Sequence, residues 1–475
     1  MAPGGKTRKS SRKQVDLKTK KHEIKLKIQA NAKKPIIRWQ NKNILHTLYQ
    51  YRAGCCTTNN IRQAIIKPFQ EKLTKYRILR TSSPFDRRVT SMAWHPTKPT
   101  TMCVASKSGD FLLWDYEKLD HSQFVRGLGK GGSIPALKFD IDSPDHIYTV
   151  SGDGLVLRQD FEGRSRQVFF NTNDWSFWFC SLDVSFKANL VVAGDNVGKV
   201  CLFTRQGEKV SSDRLHKAKV THCEFNPSCD WLLATASVDK TVKLWDVRMM
   251  KDKNSFVQCL SHEKPINSAY FSPDGSRLLT TDQHVDIRIY SGPYWSDTYN
   301  TIVHPHRFYQ HITPFKATWH PVHDIIVIGR YPDSSFPGYR DGECRTVDMF
   351  NANTGKIICQ LLDPSASGII SLNMFNPKTD ALVSAMGYHI LVWIGDEEAF
   401  EKQQKVMESL RANSSNIGGP STYRRPRRRR DNNDENDEDD DDVSSMKKKI
   451  KKPKQSKAKE EKENQKVKIK GKKSK

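Results

Sequence analysis

No run of this sequence strings together the roughly 20 apolar residues that a membrane-spanning helix needs, which excludes a helical membrane protein. Apolar residues are scarce altogether, 36 % of 475. That share is below the norm for a compact globule, so part of the chain is expected to stay unpacked. The opening residues, MAPGGKTRKSSRK, lack the apolar region of a secretory leader. A chain without a leader is expected in a reducing compartment. The ten cysteines include no CxxC pair and read as buried thiols rather than a disulfide framework.

Catalytic signatures are missing as well. There is no GxxxxGK followed by Ser or Thr, and no GxSxG. GLGKGG, Gly127 to Gly132, satisfies GxGxxG. It lacks the flanking strand and helix of a dinucleotide site and reads as a flexible connection. His304, His306 and His311 cluster, but no Cys or carboxylate in that loop completes four metal ligands. Nothing pairs two carboxylates or activates a nucleophile. The sequence therefore points away from an enzyme, a cofactor or a metal.

Positive charge is what the chain has in excess: 78 Lys and Arg against 53 Asp and Glu, a net +25. Residues 1–35 carry +10, residues 421–475 carry +9, and only +6 is left for 36–420. Both ends lack the apolar side chains to offset ordering entropy and read as disordered. The tail has a basic cluster (Arg424, Arg425, Arg427 to Arg430), an acidic run (Asp431 to Asp442) and a Lys-rich end. Such a cluster suits nuclear import or nonspecific nucleic-acid contact, and a solubilising tail has the same composition. We take the nucleus as the expected compartment.

Between the ends the sequence repeats. Short apolar strands end in an aromatic or its substitute at Trp114, Gln159, Phe203, Trp245, Tyr290, Phe350 and Trp393, at intervals of 45, 44, 42, 45, 60 and 43. A unit of 40–45 residues with a terminal WD signature is a four-stranded propeller blade. Seven alternating strands precede these (SMAWHP, ALKFDI, SLDVSF, HCEFNP, SAYFSP, KATWHP, LNMFNP), five of them exiting into Pro. The fold class is all-β: a seven-bladed WD-repeat propeller over 81–397, a short helical segment before it, and charged disordered tails.

The interval of 60 marks an insertion. Its excess falls in Ser291 to Thr313, which contains HPHRFYQH, and in Tyr331 to Gly342. Inserted loops on propeller faces are the usual binding elements. Arg307, Tyr309, Gln310 and His311 put a cation, a ring, an amide and an imidazole in one turn. Such a set wedges between base steps if the turn projects as a hairpin, or the Tyr packs on a neighbouring blade. Both arrangements fit the sequence. Arg87, Arg88, Lys107, Lys217, Lys219, Arg307 and Arg330 lie near blade turns and would position phosphates if they share a face. Arg248 of WDVR either pairs locally with a carboxylate or projects toward a protein.

Ahead of the ring, 41–80 looks helical. Ile44, Leu45 and Leu48 share a face that Gly54 can end, and Ile61, Ile65, Phe69 and Leu73 recur every fourth residue. Pro68 in that run argues against one unbroken helix. The stripe must be covered, by the propeller or in a partner's groove.

From Asn41 to Trp393 the chain resembles the small subunits of the damaged-DNA-binding heterodimer, WD-repeat proteins of nucleotide excision repair. The likeness rests on YRIL, PFDRR, WFCSLDVS, GDNVG, KVTH, LATASVD, FSPDG, LLTTDQ, HPHR, GRYPD, CQL and SAMGYHIL. It implies recognition of ultraviolet-type lesions in double-stranded DNA. A minor-groove hairpin would carry Tyr309, Gln310 and His311 where the family usually has Phe-Gln-His, and would push the damaged bases out. Arg87, Lys107, Trp178, Lys219, Arg307 and Tyr331 are then the remaining DNA contacts. It also implies a large-subunit partner, a triple-propeller adaptor of a cullin–RING ubiquitin ligase acting on chromatin. The adaptor would be met by the helical pair (Ile44, Leu48, Ile61, Ile65) and by Trp245, Asp246 and Arg248 of a WDxR motif. In domain terms, 1–40 is then a basic tail, 41–80 the docking segment, and 398–475 a short helix with a charged tail. The rival reading is a nuclear scaffold that binds histones or ribosome-assembly factors.

Overall fold

The computed structural model describes residues 44–416, apart from 119–121, 130, 173, 175, 310–311 and 337–338. The expected basic N-terminal tail and the charged tail from 417 onward lie outside the described residues. Two compact units are distinguished, 1–68 and 69–475.

Seven four-stranded antiparallel sheets make up the second unit. Blade 1 is β2–β5 (Val89–Trp94, Thr101–Ser106, Phe111–Asp115, Ser122–Val125), and blades 2 to 5 repeat that order through β21 (Thr298–Val303). Blade 6 is β22–β25, with an innermost strand of only two residues, Thr318–Trp319. Blade 7 takes three strands from the C-terminal end of the ring, β26–β28 (Ile370–Phe375, Leu382–Met386, His389–Ile394). Its outer strand is β1, Arg77–Ser82, paired antiparallel with β28. Residues 77–80 are therefore strand, not the end of the helical segment expected over 41–80. Closing the ring with a strand from the other end of the sequence removes an open edge. A chain that starts after Ser82 should melt earlier and aggregate, readable by a thermal scan with light scattering.

The second strands are the most deeply buried: every residue of β3, β15 (Leu232–Ser237) and β23 (Ile325–Gly329) is buried. Innermost strands from adjacent blades do not hydrogen-bond as a sheet, so side chains satisfy the backbone between them. Asp183 Oδ2 accepts from Phe225 N at 2.7 Å, and Glu224 Oε2 from Phe271 N at 2.6 Å. Thr90, Thr221 and Thr318 each donate to a carbonyl of the next blade.

The glycine-rich connector between blades 1 and 2 is not slack. A Cβ on Gly127 would stand 2.1 Å from the Gly109 backbone, and one on Gly152 would stand 2.6 Å from the Gly131 carbonyl. GxGxxG here answers to close backbone packing rather than to flexibility.

In the first unit, α1 (Ile44–Arg52) ends at Gly54, whose φ of +70° suits a C-terminal cap. The helix α2 (Thr58–Leu73) runs straight through Pro68. The lost N–H is offset because Phe69 and Leu73 beyond it are buried. The last helix, α3 (Glu397–Asn416), is capped by Asp396 and packs Ala399 and Phe400 on the blade 7–blade 1 core, with Arg77 over the Phe400 ring. All ten cysteines are free, but only four are buried. Cys55 and Cys344 are exposed.

Candidate nucleic-acid interface

Strand direction decides which residues share a face. In every blade the second-to-third-strand turn and the connector to the next blade leave from the same side. Arg87 lies in the connector into blade 1, Trp178 into blade 3, Lys219 into blade 4 and Arg307 into blade 6; Lys107 and Tyr331 lie in second-to-third-strand turns. All therefore belong to one face. Connectors and turns are fastened together there: Lys107 N donates to Arg88 O, Asn196 N to Trp178 O, and Val238 N to Lys219 O, at 2.9–3.0 Å. Arg87 and Trp178 are half-buried and Lys219 is exposed. Neither Arg87 nor Lys219 has an acidic partner among the described residues. Uncompensated cations on one face can neutralise a polyanion.

The connector 304–317 is the long insertion. No strand pairing forms along it among the described residues, so the expected hairpin is not a β-ladder. It is instead pinned at points. Phe308 N donates to Gln283 O at 3.0 Å, Tyr331 N to Pro305 O at 3.0 Å, and Ile312 N to Tyr309 O at 3.1 Å. Tyr309 is half-buried, its ring 5.4 Å from that of Tyr331 at 66°, with the Arg307 guanidinium 5.6 Å from its centre. Arg307 also stands 3.5 Å from Asp333. A half-exposed pair of this kind contributes roughly 0–1 kcal/mol and is easily exchanged for another anion. Gln310 and His311 lie outside the described residues.

Below this segment is a buried polar base that the sequence reading missed. His304 Nε2 is 3.3 Å from Asp348, and Arg330 bridges Asp348 at 3.3 Å and Glu343 at 2.6 Å. Thr346 and Gln360 also donate to Asp348. His306 stacks on His304 and faces Asp282 at 3.3 Å. Burial pushes His304 down to about 4, so the ring is neutral at physiological pH. The carboxylates that answer HPHR come from other strands, invisible to a search within the loop. Among the described residues, no group of three or more His, Cys, Asp and Glu is arranged to hold a metal.

Arg248 follows the third strand of blade 4 and so leaves from the opposite face. It makes both local contacts at once, bidentate to Asp246 at 2.9 and 2.7 Å and stacked over Trp231 at 5.0 Å, yet its side chain remains 64 % exposed. Trp245 corrects the expectation of direct partner contact, because it is fully buried. Its Nε1 donates to Thr235 Oγ1 at 2.8 Å, which contacts His216 Nε2 at 2.7 Å, whose Nδ1 meets Asp239 at 3.0 Å. The indole fixes the blade from which Asp246 and Arg248 project. In the first unit, Ile44 and Leu48 on α1 and Ile65 on α2 are exposed, and Ile61 is half-buried.

Seven blades stitched at their inner strands, one of them holding an Asp-His-Thr-Trp chain, define a WD-repeat β-propeller. The family model described as WD domain, G-beta repeat matches residues 207–246 and 254–286. Three relatives extend the likeness beyond the fold. The chain is 50 % identical over 396 residues to DNA damage-binding protein 2 of Gallus gallus, covering 82 % of this chain and 78 % of that one. It is 48 % identical over 366 residues to the Mus musculus protein of that name (77 % and 85 %), and 49 % over 360 to that of Bos taurus (76 % and 84 %). The chain belongs to the DNA damage-binding protein 2 family.

Proposed function

We propose that this chain binds damaged duplex DNA in the nucleus, as a non-catalytic recognition protein that initiates nucleotide excision repair, through the face that carries Arg87, Lys107, Trp178, Lys219, Arg307, Tyr309, Gln310, His311 and Tyr331. The observation that carries the reading is the gathering of Arg87, Lys107, Trp178, Lys219, Arg307 and Tyr331 on one side of the ring. Phosphate contacts from Arg and Lys supply affinity without reading sequence. Selectivity comes from deformation: a lesion is already poorly stacked, so extruding it costs a few kcal/mol less than extruding an intact pair.

Tyr309 is the wedge, and its resting place bears on the energetics. Leaving Tyr331 forfeits about 0.5–1.5 kcal/mol of ring–ring contact. Stacking on a base returns about 1–3 kcal/mol. The two quantities are of similar size, so the packed Tyr309 ring is a resting state from which insertion can proceed. Gln310 and His311 then occupy the vacated base positions. On the opposite face, Arg248 and Asp246 engage the large subunit of the heterodimer together with the helical segment, and through it a cullin–RING ubiquitin ligase on chromatin. Placing the two contacts on opposite faces lets both be made together.

The test is a titration of the full chain with lesion-bearing and intact duplexes at several salt concentrations. Gln310→Ala with His311→Ala should reduce the preference for the lesion. Lys219→Glu should weaken both duplexes and lower the salt slope by about one contact or more. Equal, weak binding of both duplexes by the parent chain would favour a histone-binding scaffold instead.

A further inference from the structure

The segment that follows Tyr309 bonds beyond the two blades it links. It leaves blade 5 for blade 6, yet Thr313 Oγ1 donates to Val89 O of blade 1 at 2.6 Å, and the Phe315 carbonyl accepts from Asn267 Nδ2 of blade 5 at 3.0 Å. Ile312, Thr313 and Phe315 are buried. Lys316, next in sequence, is in electrostatic range of Lys219 from the blade 3–blade 4 connector and of Cys180 from the first strand of blade 3. A segment bonded to blades 1 and 5, with Lys316 in electrostatic range of the blade 3–blade 4 connector, lies on the face assigned above to DNA.

Lys316 is half-buried there without a counter-charge. No carboxylate, hydroxyl or carbonyl among the described residues pairs with its ammonium. The titratable groups that face it are Lys219, Cys180 and His222. Burial and the neighbouring lysines hold His222 well below its ordinary value, and burial pushes Cys180 up to about 11, so both are neutral at pH 7. The carboxylates of the channel are engaged deeper: Asp183 with Lys138 at 2.9 Å, and Glu224 with the Phe271 N–H. Holding a half-buried lysine near a second lysine, with no counter-charge, costs stability and gains nothing within the free protein.

We propose that Lys316, with Lys219, forms a recessed receptor for one DNA backbone phosphate, reached only when the strand is deformed by extrusion of a damaged nucleotide. This rests on the DNA-binding reading and deepens it. An exposed cation such as Lys219 meets phosphates of any duplex. A recessed one rewards only the distorted backbone, so it converts deformation into selectivity. Burial first, and Lys219 second, lower Lys316 to about 8. An arriving phosphate raises it again, so binding at pH 8 takes up a proton.

The experiment is a comparison of the parent chain with Lys316→Met and Lys316→Arg on lesion and intact duplexes. Lys316→Met should cut the lesion-to-intact affinity ratio about three- to tenfold while leaving intact-duplex binding nearly unchanged, and Lys316→Arg should retain most of the ratio. Calorimetry at pH 8 in two buffers of different ionisation enthalpy should show uptake of up to about half a proton by the parent and none by Lys316→Met. A methylphosphonate series flanking the lesion should contain one position at which parent and variant bind alike. Melting of Lys316→Met at or above the parent temperature supports a binding role, and a lower melting temperature makes Lys316 a structural residue. An unchanged ratio in Lys316→Met with lesion preference intact overturns the receptor alone. Loss of lesion preference in the parent overturns the DNA-binding reading.

Discussion

Replacing Trp245 with Ala should abolish duplex binding and large-subunit capture together, whereas Arg248→Ala should impair capture alone. The two residues are three positions apart in one motif, and only their burial separates them. Trp245 is fully enclosed and ends a chain of contacts through Thr235 and His216 to Asp239. Removing it leaves a cavity of indole size and a cost of about 3–5 kcal/mol. Against a total of roughly 5–15 kcal/mol, blade 4 would no longer be held, and the connector bearing Lys219 would go with it. Arg248 is exposed and, among the described residues, its side chain contacts Asp246 and Trp231, so the ring should melt normally without it. Thermal melting, a duplex titration and co-purification with the large subunit, run on both variants, check this. Normal melting and DNA binding by Trp245→Ala would mean that the indole is no part of the frame.

That contrast also shows what was legible in the sequence. The period of about 44 residues located the blades, and the interval of 60 located both insertions, since a blade is a local unit whose strands pair with sequence neighbours. The ring closure was not legible: β1 pairs with β28 far along the chain, Arg77 opposite Ile394, and an alternating strand carries no mark of a distant partner. The site divides in the same way. Arg87, Lys107 and Lys219 could be found because turn positions recur with the repeat. Lys316 could not, because TPFKATWH reads as the start of an ordinary strand, and its isolation follows from which side chains of blades 3 and 4 happen to face it. Asp348 was hidden for a related reason, sitting in RTVDMF beside apolar residues while accepting from Arg330, Thr346 and Gln360 and facing His304 at 3.3 Å.

Mild acid should unfold the ring well above the pH at which its carboxylates titrate. Four histidines are held neutral mainly by burial: His95, His262 and His304 are pushed down to about 4, and His320 to about 3. For two of them the geometry says the same thing. His95 Nδ1 accepts the N–H groups of Thr97 and Lys98, and His320 Nδ1 those of Val322 and His323, so a proton there would break two bonds at once. In the unfolded chain each takes up a proton near pH 6.5, while the folded ring refuses it until about 4 or lower. The unfolded state thus binds more protons throughout that window, and stability falls as pH falls. At about 1.4 kcal/mol per unit, each histidine removes roughly 3 kcal/mol across it. Glu224 works the other way, since burial raises it to about 8 and the folded state is the one that gains its proton. His216, His222 and His323 are held down as well and Asp195 is raised like Glu224, so unfolding takes up about three protons or more near pH 5. Asp239, Asp282 and Asp348 do not rescue the fold in this window or add to its loss, because their lowered values hold their contribution intact until below about 4. Urea midpoints measured at pH 7, 6 and 5 should fall steeply at each step, and His262→Gln should make the decline shallower by about one proton. A midpoint constant from pH 7 to 5 would mean that these imidazoles accept protons inside the folded ring.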